Sequence, residues 1–367
     1  MATLTNSPGP IRVLVVDDSA FMRTAITRMV GSDPALQVIG TANDGLEALE
    51  KVRALNPDVL TMDIEMPRMD GLSALRRLMA ESPRPVIMIS SLTQEGAEST
   101  LTAFEIGAFD CIPKQLSYAS LDIVKIREQL IEKIKAAAGA PHFRKPRAVV
   151  PAPPPRAPIA RPPASHFVSV VAIGTSTGGP KALQQILPML PADLPVGVVI
   201  VQHMPSGFTG PFAKRLDGLC KVNVREATQD EEITSGKVLI APAGQQLTVY
   251  RRAPARYAVR LSHTPTDTPH IPSVDVMMLS VAEAYGATAM GIILTGMGGD
   301  GAEGMKKIME RGGLTVGQDE ASCAVYGMPR TCAERGVLKH VVPLDYVPEE
   351  ILHATRYANH SAKSLKH

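Results

Sequence analysis

At 367 residues the chain is longer than one ordinary core supports, and its 45% apolar content is enough to bury two. A formal net charge of +2 excludes a protein that binds polyanions over its whole surface, and no apolar stretch reaches membrane-spanning length. Four scattered cysteines without zinc-ligand spacing, and an N-terminus without a signal-peptide pattern, predict a reduced, cytoplasmic setting.

Residues 10–135 alternate short apolar runs with helical patterns. The runs are Ile11 to Val16, Gln37 to Gly40, Val59 to Met62, Val86 to Ile89 and Phe109 to Ile112. Between them lie amphipathic stretches such as Phe21 to Val30, with apolar residues at helical spacing. The alternation predicts a doubly wound α/β domain with a parallel sheet. Asp17 and Asp18 follow the first run, Asp63 the third, Ser90 the fourth and Lys114 the fifth. In a parallel sheet all five gather at the carboxyl-terminal edge. Crowded carboxylates repel unless a hard cation lies among them, and Mg²⁺ suits a few carboxylates plus waters. A carboxylate beside Mg²⁺ and a Lys can accept a phosphoryl group, because those cations neutralise the oxygens in transit. Taken singly, Asp17 and Asp18 read more readily as helix caps, and only the five residues together reverse that reading.

From Ala136 to Ser165 the composition changes to nine prolines, five Arg or Lys residues and no acidic residue. Such a stretch cannot form a core and is expected to run as an extended tether, either an inert spacer or a basic contact for a partner. It separates the first domain from a second at 166–355, and residues 356–367 form a polar tail.

In the second domain three apolar runs each end at a reactive side chain. Val168 to Ile173 leads to Gly174-Thr175-Ser176-Thr177-Gly178-Gly179, Val196 to Val201 to Gln202-His203-Met204-Pro205, and Ala289 to Leu294 to Thr295-Gly296-Met297-Gly298-Gly299-Asp300-Gly301. Ligands of parallel α/β sheets bind at such strand ends, and Ser, His and Asp are the parts of a nucleophilic hydrolase. Gly174 to Gly178 fits a G-x-S-x-G nucleophile elbow between a strand and the helical pattern Pro180 to Leu187. The competing phosphate-loop reading fails where Pro180 takes the place of the required Lys and displaces it to Lys181. Of the nine histidines only His203 terminates a fully apolar strand; His263 and His270 fall in a proline-rich loop. For the orienting acid, Asp300 competes with Asp275 in Pro272-Ser273-Val274-Asp275. The chain order Ser, His, Asp differs from that of the α/β-hydrolase superfamily.

The segments Val15-Val16-Asp17-Asp18-Ser19, Met62-Asp63-Ile64-Glu65-Met66-Pro67, Ile89-Ser90-Ser91 and Ile112-Pro113-Lys114 resemble a response-regulator receiver, a flavodoxin-like fold. The resemblance implies phosphoryl transfer from a chemotaxis histidine kinase to Asp63. It puts Mg²⁺ on Asp17, Asp18, Asp63 and the backbone carbonyl of Glu65, with Ser90 and Lys114 on the phosphoryl oxygens. Two positions depart from the family: Gln115 stands where Pro usually follows the Lys, and Cys111 where an aromatic switch residue is common.

The second domain, through Ala172 to Pro180, Val201 to Pro205, Pro272 to Val276 and Ile293 to Gly301, resembles the catalytic domain of chemotaxis protein-glutamate methylesterase/deamidases, a Rossmann-like α/β hydrolytic domain. The resemblance implies Ser176 as nucleophile, His203 as base and Asp300 as orienting acid, with Thr177 and Met297 lining the site and backbone N–H groups near Ser176 and Met297 holding the oxyanion. The implied substrate is a glutamate γ-methyl ester or a glutamine on a chemoreceptor's cytoplasmic helices, with no cofactor in this domain. It further implies that the unphosphorylated receiver covers the hydrolase mouth. A DNA-binding transcriptional regulator and an inactive phosphate-binding adaptor are the alternatives. The first lacks a concentrated basic recognition helix, so no nucleic-acid partner is expected; the second leaves the Ser, His and Asp coincidence unexplained.

Overall fold

The computed structural model describes residues 9–91, 93–114, 122–140, 167–355 and 357. The chain divides into two units, Met1–Lys145 and Pro146–His367. Among the described residues no helix is long and apolar enough to cross a membrane.

In the first unit, β1 (Ile11–Val16), β2 (Leu36–Ala42), β3 (Val59–Asp63), β4 (Val86–Ser90) and β5 (Asp110–Pro113) form one sheet in the order β2-β1-β3-β4-β5. Every pairing is parallel. The β3 and β4 strands are buried along their whole length, as strands covered on both faces must be. Helices α1 (Ala20–Val30), α2 (Gly45–Leu55), α3 (Gly71–Glu81), α4 (Gln94–Ile106) and α5 (Asp122–Gly139) alternate with the strands. Local chemistry starts four of them: Ser19, Asp44, Asp70 and Thr93 cap α1, α2, α3 and α4 by accepting from first-turn N–H groups. The α5 helix continues past the expected boundary at 135, through Gly139, with Ala137 fully buried. Alanine's high helix propensity overrides the composition shift there. Of the tether, residues 141–165 lie outside the described residues, as do Gln115 and all of the 356–367 tail but Tyr357.

In the second unit seven strands make a parallel sheet in the order β14-β13-β12-β6-β7-β9-β8. They are β6 (Val170–Thr175), β7 (Gly197–Gln202), β8 (Asn223–Glu226), β9 (Lys237–Ile240), β12 (Ala289–Ile293), β13 (Leu314–Gln318) and β14 (His340–Val342). A two-stranded antiparallel hairpin, β10 (Gln246–Ala253) and β11 (Arg256–Ser262), is the one departure from the parallel pattern among the described strands. Helices α6 (Gly179–Ile186), α7 (Thr209–Leu219), α8 (Val274–Tyr285), α9 (Ala302–Glu310), α10 (Met328–Glu334) and α11 (Val347–Ala354) complete the unit. Met277, Met278 and Val281 of α8 share one buried cluster with Val199 of β7, Ile293 of β12 and Val249 of β10. The helix is thereby fixed against the strands that carry the site. Both units are α/β with mainly parallel sheets, as the alternation of apolar runs and helical patterns predicts.

Chain order reverses at β6, which has β7 on one side and the much later β12 on the other. That is a topological switch point, where open α/β sheets place their ligands.

Candidate active site and acidic pocket

The three strands at the switch point deliver the three candidate residues. Thr175 of β6 and Gln202 of β7 are register partners, so Ser176 and His203 are the next residues on adjacent strands. The His203 N–H donates to the Thr175 carbonyl at 3.1 Å and pins the two ends together. On the other side Gly174 pairs with Ile293, and the loop after β12 carries Asp300. The Ser176 N–H donates to the Thr295 carbonyl at 3.1 Å, and the Thr175 hydroxyl donates to the same carbonyl at 2.9 Å.

The turn after β6 is not the strained elbow of G-x-S-x-G hydrolases. Ser176 is absent from the non-glycine residues with positive φ, and the left-handed turn falls on Gly178, at φ 78°. Gly179 then starts α6. A Cβ there would sit 2.0 Å from Gln202 Oε1 and 2.4 Å from Thr175 Oγ1, so no other residue fits without displacing both. Gln202 is buried, and its Nε2 donates to the carbonyls of Ser176 at 2.9 Å and His203 at 3.0 Å. One side chain thus holds the backbone of both candidate residues.

His203 Nε2 lies 2.9 Å from Asp300 Oδ2, with both side chains under a tenth exposed. His203 Nδ1 is buried without a hydrogen-bond partner among the described residues. The pairing through Nε2 is the reverse of the serine-protease arrangement, in which Nδ1 faces the acid. Asp300 is the better anchored of the two candidate acids. Its Oδ2 also accepts from the Val274 N–H at 2.8 Å, and its Oδ1 accepts from the Ser273 hydroxyl and the Asp275 N–H, both at 2.9 Å. All three donors belong to the N-terminus of α8, where backbone N–H groups and the helix dipole favour an anion. Burial pushes the Asp300 carboxyl up, but the hydrogen bond and charge of His203, with the α8 N–H groups, outweigh it and hold it down at about 2. The Asp275 carboxylate accepts instead from the Gly304 N–H at 2.8 Å. Burial raises it above the usual carboxylate range.

The backbone N–H groups of Ser176 and Met297 differ in what they meet. The Ser176 N–H is committed to Thr295, whereas the Met297 N–H has no acceptor among the described residues. Thr177 is buried, and its carbonyl accepts from the Thr295 hydroxyl at 2.9 Å. Thr295 is a hub that sequence reasoning passed over: its N–H donates to Gln318 Oε1 at 2.8 Å, and its hydroxyl accepts from the Val325 N–H at 2.9 Å. Gln202, Ser273 and Gln318 were also missed. Their only sequence signal is position, since each stands at or just beyond a strand end or at a helix cap.

In the first unit the carboxylate oxygens of Asp17, Asp18 and Asp63 come within 4.8 Å of one another. Lys114 Nζ lies 2.6 Å from Asp63 Oδ2 and 3.4 Å from Asp17 Oδ2. Burial, with the charge of Asp17 added, outweighs Lys114 and pushes the Asp63 carboxyl up to about 6. Burial also raises Asp17, and its Oδ2 has no hydrogen-bond donor among the described residues. Lys114 is pulled down by burial and raised more by the two carboxylates. Three acids against one ammonium, with a buried Asp17 oxygen met only by Lys114 at 3.4 Å among the described residues, fit a hard divalent cation. Ser90 sits at the end of β4, and its hydroxyl donates to the Gly96 carbonyl at 3.0 Å. Glu65 is exposed two residues beyond Asp63. Cys111 is buried in β5, and burial pushes its thiol up to about 12, so it occupies its position as a small apolar residue.

The two folds are those of a response-regulator receiver and of a second α/β domain that carries a candidate hydrolase site. Residues 13–124 match the family model for the response regulator receiver domain, and residues 171–351 match that for CheB methylesterase. A protein-glutamate methylesterase/protein-glutamine glutaminase of Nitratidesulfovibrio vulgaris is 48% identical over 362 residues, covering 93% of this chain and 98% of that one. Its counterpart in Pyrococcus abyssi is 44% identical over 356 residues, covering 94% and 93%. Among solved structures, the CheB methylesterase catalytic domain of Thermotoga maritima is 37% identical, covering 50% of this chain and 97% of that one, with a TM-score of 0.49. The chain belongs to the protein-glutamate methylesterase/protein-glutamine glutaminase family, response regulators whose hydrolase is controlled by phosphorylation. The transcription-factor and inactive-adaptor readings are not favoured by these matches.

Proposed function

We propose that this protein hydrolyses glutamate γ-methyl esters and glutamine side chains on the cytoplasmic helices of a chemoreceptor, through an acyl-enzyme on Ser176. The observation that carries the reading is the pairing of His203 Nε2 with Asp300, which leaves a buried, unpartnered Nδ1 on the strand next to Ser176. In this reading His203 Nδ1 takes the Ser176 proton as Oγ attacks the side-chain carbonyl, and Asp300 stabilises the imidazolium. The Met297 N–H, with the backbone at Thr177, holds the oxyanion. His203 returns the proton to the departing methanol or ammonia. A water deprotonated by the same nitrogen then attacks the acyl carbonyl, freeing glutamate and restoring Ser176. Methyl ester and amide thus share one intermediate, and this domain needs no cofactor.

In the receiver, Asp63 accepts the phosphoryl group from a chemotaxis histidine kinase. Asp17, Asp18, Asp63 and the Glu65 carbonyl would hold Mg²⁺, which neutralises oxygen charge during transfer. Lys114 holds a phosphoryl oxygen. Ser90 does so after its hydroxyl leaves the Gly96 carbonyl. A cytoplasmic location suits both partners. Ser176→Ala should lower methanol release from methylated receptor by at least roughly three orders of magnitude and abolish labelling by a fluorophosphonate probe. Ester hydrolysis near the wild-type rate in that variant removes Ser176 as the nucleophile.

A further inference from the structure

A second imidazole lies flat against the first. The rings of His203 and His270 are stacked with centroids 4.0 Å apart and planes 25° apart. The pairing has a mechanical consequence. The Asp300 bond restrains His203 through one nitrogen only, and among the described residues nothing bonds the Nδ1 edge that must face Ser176. The last torsion of a His side chain is broad and prefers no single staggered value. A ring tethered at one corner therefore keeps its catalytic orientation only if a face is supported as well.

The loop that brings His270 there runs from the end of β11 to Ser273, and His263 to Asp267 are exposed. It is nevertheless fastened from below. Gln246, fully buried at the start of β10, donates from Nε2 to the Pro265 carbonyl at 3.0 Å and the Thr268 hydroxyl at 2.9 Å. Its Oε1 accepts from the Ser273 N–H at 2.8 Å. The Thr268 hydroxyl donates onward to the His270 carbonyl at 2.8 Å, and the Gly244 N–H to the Ile271 carbonyl at 3.1 Å. All three Gln246 bonds thus go to the segment that carries His270 and ends on the Asp300-binding cap.

We infer that His270 is a positioning residue for the hydrolysis: its ring, clasped through Gln246, supports one face of His203 and holds Nδ1 toward Ser176. The inference rests on the reading of His203 as the base. Removing the ring acts on turnover rather than on substrate binding, because only the orientation of the base changes. A misplaced catalytic group costs on the order of a hundredfold. Phe at 270 keeps a flat face without the imidazole nitrogens and restores turnover.

The test uses the full chain, activated by a small-molecule phosphodonor, and follows methanol release from methylated receptor. His270→Ala is expected to lower kcat by roughly ten- to a hundredfold with KM within about twofold, while His270→Phe returns to within about threefold of wild type. Gln246→Ala is expected to reproduce the kcat loss, and the double variant Gln246→Ala/His270→Ala to be no slower than His270→Ala, since both remove one support. An unchanged kcat in His270→Ala overturns the inference, as does an effect confined to KM or a Phe variant as slow as Ala. His203→Ala separates the two layers. If it stays fully active, the base assignment itself fails; if it is inactive while His270→Ala is normal, only the role of His270 is lost.

Discussion

Asp300→Asn tests the site most severely, because the substitution preserves shape and removes only charge and one acceptor. The carboxyl is held at about 2 against an ordinary value of 3.8, a difference equivalent to about 2 kcal/mol, part of which is the charge of His203 and is absent while the imidazole is neutral. For an acid depressed in the folded state, that stabilisation is complete above about pH 4 and is lost as the pH falls through about 2. Asn cannot recover it. Its NH₂ group in the Oδ1 position faces the Asp275 N–H, and in the Oδ2 position the Val274 N–H, so either orientation sets donor against donor. An unsatisfied buried donor costs about 1–3 kcal/mol, and this overlaps with the lost charge rather than adding to it. The Oδ2 orientation also presents a donor to His203 Nε2 and forces the imidazole proton onto Nδ1, the nitrogen that must be free. The loss in kcat is expected to be of the order of 10⁴-fold, as for an Asp to Asn change in other triads. Methanol release from methylated receptor measures turnover, and urea unfolding of the full chain measures stability. A variant that keeps a tenth or more of the wild-type kcat, or loses no stability, refutes the role assigned to the α8 N-terminus.

Three further outcomes follow from contacts described above. Gly179→Ala forces a methyl group into Gln202 Oε1 and Thr175 Oγ1, and should cost about 1–3 kcal/mol along with most activity; an unshifted urea midpoint for the second unit would contradict that packing. Asp63→Asn removes a buried charge whose carboxyl is pushed up to about 6. For an acid raised in the folded state the penalty is present above about pH 6 and is relieved as the pH falls toward 4. At pH 7.5 without Mg²⁺ the variant should therefore gain up to about 3 kcal/mol in the first unit, less what Lys114 loses with its partner. Added Mg²⁺ should raise the melting temperature of wild type more than that of Asp63→Asn, and equal shifts in calorimetry would argue against the acidic pocket as the cation site.

The parallel sheets were legible because strands buried on both faces read as unbroken apolar runs: Val59 to Met62, Val86 to Ile89 and Ala289 to Leu294 are each recovered within one or two residues. The hairpin of β10 and β11 was not, since its strands mix Arg251, Arg252 and Arg260 with apolar residues and produce no such run. Boundaries failed where propensity competed with composition, as at Ala136 to Gly139, which reads as the start of a tether and folds as the last turn of α5.

The sequence by itself determined the chemical inventory, because reactive residues at the ends of apolar strands must lie at one edge of a parallel sheet. It left open which of Asp300 and Asp275 serves His203. Both follow glycine- or proline-rich turns, and only the path of α8 decides that one carboxylate meets the imidazole and the other meets Gly304. His270 and Gln246 were illegible for the same reason. A side chain's partners across a fold depend on register and helix placement, which are properties of the packed core and leave no mark on neighbouring residues in the chain.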